Sequence, residues 1–176
     1  AGHLCNKLFK TKIINNLLLD EDIYVYEDLL LCIKAFEGSK SVVFDPLPLY
    51  NYYIHDESAY NRLFNKKQLT ANLACDRIIV FLKASYPKAV KYVLANCLLY
   101  NLNLLWKIRD YSLDDKEIIE RQIINRMRYC LKFSTIFNIK IYQTILIISA
   151  LLNVELFYFL KKQINLIKKG FREKKK

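Results

Sequence analysis

Glycine and proline are scarce, with three of each in 176 residues. So few turn-formers and helix-breakers favour long helices over a loop-rich or many-stranded fold. Histidine is nearly absent too, and its two copies form no cluster with the five cysteines. Those cysteines (Cys5, Cys32, Cys75, Cys97 and Cys130) are odd in number, widely spaced and without a C-x-x-C pair. A metal finger and a disulfide framework are both excluded on that spacing. Reduced, mostly buried thiols in a cytoplasmic protein are the expectation. The first residues lack the basic region and apolar core of a signal peptide. No internal repeat occurs, and the lysine-rich end is the one biased segment.

What is present is apolar and unevenly charged. Hydrophobic residues make up 53% and aromatic residues 14%, enough to bury a sizeable core in one domain, or in one piece of a larger one. The net charge is +11, yet +7 of it lies between Lys161 and Lys176, where eight Lys or Arg accompany Glu173 alone. Residues 1–160 therefore carry only +4. The charge marks a basic tail on a near-ordinary domain.

Apolar spacing sets the expected elements. Leu8, Phe9, Ile13 and Ile14 give a buried side to a short helical or irregular segment within Leu4–Leu19. Leu29, Leu30, Ile33 and Phe36 keep close to helical spacing over Glu27–Phe36, with Gly38 as a stop. Ser41–Phe44 reads as a short β-branched strand and Leu49–His55 as a second one, with Pro46 and Pro48 between. From Ala59 on, the chain reads as helical. One helix runs through Leu69, Leu73, Ile78, Phe81 and Leu82 to Tyr86–Pro87, and another from about Lys88 to Arg109. A third starts near Asp114, where Asp114 and Glu117 resemble a capping box, and a last one runs from about Ile139 into the tail. The fold class expected is α+β, mainly helical: short hairpin-like strands in the first third, followed by a helical bundle.

Four short segments carry chemistry: CNKLFK at Cys5–Lys10, YED at Tyr26–Asp28, VVFDPLPLY at Val42–Tyr50, and YYIHDES at Tyr52–Ser58. In this order and spacing they resemble the second half of bacterial family 2 glycosyltransferases, over residues 4–60. The resemblance implies part of a glycosyltransferase A-type α/β fold, a nucleotide-sugar donor, and a divalent metal, Mg or Mn, in the intact enzyme. It also implies that an amino-terminal, nucleotide-binding half belongs to the whole protein, so this chain alone is expected to be inactive. In such inverting enzymes the second acid of the pair is the general base, which here is Asp28. Chemically, a carboxylate within hydrogen-bond reach can take the proton of an attacking acceptor hydroxyl. Glu27 would support the site or touch the acceptor.

The remaining site residues follow from the same resemblance. Asn6 and Lys7 would line the acceptor side, or else be a turn and a solvated cation. His55 would approach the donor diphosphate or its metal, or else end a strand as a hydrogen-bonded residue. Ser58 is a ligand candidate and equally a helix N-cap. Tyr53 stands where the family carries an arginine, and Cys5 where an aromatic is common. Asp20-Glu21-Asp22 spells D-x-D, the letters of the family's metal motif, but too close to Asp28, and is read as a loop. The acids of YED also have an ordinary reading, since a helix start favours negative charge.

The segments are thus expected to divide into a catalytic portion (4–60), a helical region (61–160) and a basic tail (161–176). Ile141–Leu160 is strongly apolar but includes Gln143, Asn153 and Glu155, which fits a buried or interfacial helix better than a membrane span. The tail mixes Ile164, Leu166, Ile167 and Phe171 with its cations, as expected for attraction to anionic lipid, or else is a solvated, disordered tail. Nucleic acid is not expected as a partner, because the charge is confined to the tail and no recognition motif accompanies it. Self-association is expected through a face that residues outside this chain would cover. Two functions follow: a transferase working on a polysaccharide or lipid-linked glycan, peripheral at the inner face of the cell membrane, or a non-enzymatic helical module for membrane or protein association.

Overall fold

A computed structural model describes residues 4–51, 53, 63–112 and 114–173. The chain forms two compact units, Ala1–Pro87 and Lys88–Lys176. Eight α-helices occur among the described residues, and no strand does. They are α1 (Thr11–Ile14), α2 (Glu27–Glu37), α3 (Thr70–Ser85), α4 (Val90–Ile108), α5 (Lys116–Cys130), α6 (Phe133–Ile136), α7 (Ile141–Leu152) and α8 (Val154–Glu173).

The α+β expectation, and with it a glycosyltransferase A-type sheet fragment, is therefore corrected: the protein is helical. The physical reason is plain at Val42, Val43 and Phe44. Their β-branched and aromatic side chains suit a strand, but a strand is stabilised by cross-strand pairs and a buried face. Here the segment runs without secondary structure, and Val43 is 89% exposed. Of the second expected strand, residues 49–51 and 53 are likewise without regular structure. Residues 52, 54 and 55 lie outside the described residues.

In the first unit α2 packs against α3. Helix α2 buries Leu30, Leu31, Cys32 and Ala35, spaced to place one stripe against Ala71, Ala74, Cys75, Ile78 and Ile79 of α3. Alanine and cysteine in that list let the two backbones approach closely. Gly38 follows the last turn as expected, but at φ −69, so the stop uses no left-handed residue. Ser39 finishes the helix instead: its hydroxyl donates to the Ala35 carbonyl at 2.7 Å, and its N–H to Phe36 at 3.1 Å. A single 3₁₀ turn, Lys66–Leu69, leads into α3 through a capping box, Asn65 Oδ1 accepting from Lys67 N and Gln68 Oε1 from Asn65 N.

The second unit centres on α4 against α5, with α6, α7 and α8 around them. Its core holds Leu98, Leu105 and Ile108 of α4, Ile123 and Met127 of α5, Leu146 and Ile147 of α7, and Phe157 of α8. Asn101 is fully buried in α4, and its side-chain amide donates to the Cys97 carbonyl at 2.9 Å. That bond meets the need of a buried amide for a partner. Helix α5 starts later than expected, at Lys116. Asp115 is its N-cap with no side-chain cap bond, so the Asp114–Glu117 box does not form. The single helix expected from Ile139 onward is two helices broken at Asn153, whose extended backbone cannot continue α7.

Four cysteines are buried and Cys5 is exposed, all five as free thiols. No described helix is long and apolar enough to cross a membrane.

Candidate functional site

The acid pair opens α2. Tyr26 is its N-cap and holds φ 72, the left-handed region, where a non-glycine residue is unusual. Its carbonyl accepts the first helical bond, from Leu30 N at 3.0 Å. Glu27 and Asp28 then occupy the first turn, both half-buried. Asp28 Oδ1 accepts from Leu29 N at 2.7 Å, filling one donor that the helix start leaves without a partner. One carboxylate oxygen is thus fixed by the backbone, which points the group in a set direction.

Cys32 lies one helical turn on from Asp28. Burial pushes its thiol up from its ordinary value, the Lys7 ammonium opposes that, and the Asp28 carboxylate adds to it. Lys7 Nζ donates to Asn6 Oδ1 at 2.7 Å. Glu27 is raised above the usual glutamate range, first by burial and then, against a bond to its own backbone, by the negative charge of Asp28.

The other candidates fare differently. Tyr53 is exposed. His55 and Ser58 lie outside the described residues. Asp20 and Asp22 hold a cation of the protein's own. Arg77 donates two bonds to Asp22, at 2.8 and 2.6 Å, and reaches Asp20 at 2.9 Å, while Lys34 stands 3.7 Å from Asp20. The guanidinium holds the Asp22 carboxyl below the usual carboxylate range. These acids pin the loop before α2 onto α3, and a second tie runs from Tyr24 N to Thr70 Oγ1 at 2.9 Å.

Arg77 and Thr70 are the residues sequence reading did not single out. An Asp-Glu-Asp triplet asks for a cation, but nothing local says which one answers from 55 residues away. Beside this clamp, an open depression of about 630 Å³ is lined by Asp20, Lys34, Asp76 and Arg77 over Leu30, Val80 and Phe81. Neither Glu27 nor Asp28 lines it. Among the described residues no group of three or more His, Cys, Asp or Glu is placed to hold a metal ion. The chain matches no family model, no curated protein and no solved structure.

Proposed function

We propose that this chain is the acceptor-side part of a glycosyltransferase, with Asp28 as the general base. The observation that carries the reading is the YED pair on a fixed helix start, within an ordered set of short motifs. In the reaction an acceptor hydroxyl oxygen bonds to the anomeric carbon of a nucleotide-sugar. The bond from that carbon to the diphosphate breaks, and its electron pair leaves with the nucleotide. The hydroxyl proton passes to the Asp28 carboxylate, one oxygen of which accepts from Leu29 N. Glu27 beside it would hold an acceptor hydroxyl. Attack from the face opposite the leaving group inverts the anomeric centre.

The resemblance also implies Mg or Mn beside the donor diphosphate. The described residues do not furnish a set that fits such an ion, since Asp20 and Asp22 are engaged by Arg77. No step assigned to this chain runs through a metal.

The test is Asp28→Asn in the full-length protein, assayed by transfer of labelled sugar from nucleotide-sugars to membrane-derived glycan acceptors. Transfer should fall by about 10²–10⁴-fold, the usual worth of a general base, while donor binding stays near normal. Turnover within a few-fold of the parent would remove Asp28 from the role.

A further inference from the structure

We propose that α7 and α8 form a docking face for an anionic lipid surface, independent of the transferase reading. Helix α8 is amphipathic in place. Phe157 and Tyr158 are buried, and both rings sit edge-on to Trp106, at 6.5 and 6.4 Å between centroids. Tyr158 also donates to Glu120 at 2.7 Å, which fixes the inward side of the helix. With that side settled, Leu156, Phe159, Leu166 and Ile167 fall on the outward one at helical spacing.

Helix α7 repeats the pattern. Leu146, Ile147, Ser149 and Ala150 face the core, and Ile141, Ile145, Ile148 and Leu152 form a stripe at spacings of four, three and four. These eight large apolar side chains are each between 44% and 82% exposed, within 27 residues of chain. A run of exposed apolar groups this dense marks an interaction surface rather than scattered surface residues.

Charge identifies the occupant. Helix α7 has no charged residue, while Lys162, three residues after Phe159 and four before Leu166, borders the stripe of α8, and the last sixteen residues carry +7. Two copies of the chain paired through this face would bring two such basic segments together, which like-charge repulsion opposes. An anionic headgroup layer answers both features, taking apolar side chains at the acyl boundary and cations among the phosphates. Because no described helix can span, the pair lies on the surface.

The full chain should sediment with vesicles of phosphatidylcholine mixed with phosphatidylglycerol, and not with phosphatidylcholine alone. High salt should weaken the binding by screening. Phe159→Ser with Ile167→Ser, both at exposed positions, should abolish sedimentation with an unchanged circular dichroism spectrum. Lys162→Gln should weaken it about fivefold. Failure of the unaltered chain to bind anionic vesicles would overturn the proposal. So would full binding by the serine variant, or lipid-free self-association that the serine variant abolishes, since a second copy would then be the occupant.

Discussion

Tyr26 and Glu27 carry the least comfortable chemistry in the described residues. A left-handed backbone costs an ordinary residue about 1–2 kcal/mol, and Tyr26 adopts it immediately before the two acids. Strain of this kind persists only where its surroundings impose it, and it clusters at working sites. Glu27 adds a second cost, because burial opposes its charge. The sign of its pH effect follows directly. A carboxyl whose native pKa is raised stabilises the fold below its ordinary value of 4.5, and that contribution is lost as pH rises through the raised native value. Glu27→Gln should therefore be more stable than the parent in neutral-pH urea unfolding. The difference should shrink as pH falls from the raised native value toward about 4.5, and be gone below it. Equal stability of the two at neutral pH would mean that the Glu27 charge is well compensated.

At the scale of elements, Asn153 separates α7 from α8 and caps the second. Its Oδ1 accepts from Leu156 N at 3.0 Å, the third residue of α8, in the manner of an N-cap. Asn153→Ala should cost about 1 kcal/mol in denaturant unfolding, the ordinary price of an N-cap, and Asn153→Asp should retain most of it. An alanine variant as stable as the parent would show that packing of Phe157 and Tyr158 alone starts the helix. The same residue explains why one helix was expected where two exist. Apolar spacing continues across the break, and only the Asn-x-x signature, followed by Glu155 in the first turn, marks it. Helices α2, α3 and α4 were legible because each has apolar residues at helical spacing, with Gly38 after α2 and Tyr86–Pro87 between α3 and α4 as local signals. The strands were not, since pairing is a long-range property that Val42–Phe44 cannot declare alone. In the candidate site, the acid pair at a helix start was legible. The left-handed Tyr26 and the Arg77 clamp were not, because a tyrosine carries no sign of positive φ and Arg77 answers from a distant helix.

Over the whole molecule, charge and chemistry are assigned to different stretches of chain. The acid pair and the Asn6-Lys7 pair lie in Ala1–Pro87, and the apolar-basic face lies in Lys88–Lys176. A near-neutral segment around the acids does not repel a polar acceptor, while a tail of +7 is drawn to an anionic surface over about a Debye length, roughly 8 Å at physiological salt. If glycan transfer is the work of the first and surface attachment that of the second, the two must separate under substitution. Asp28→Asn in the full-length protein should lose transfer and still sediment with anionic vesicles. Phe159→Ser with Ile167→Ser should lose sedimentation and still transfer sugar to a soluble acceptor, yet lose transfer to an acceptor embedded in vesicles. The last contrast is the decisive one, because attachment raises the local concentration of a lipid-borne acceptor and leaves a soluble one unaffected. Equal transfer by the serine variant to both acceptors would mean that attachment, even where it occurs, does not serve the reaction.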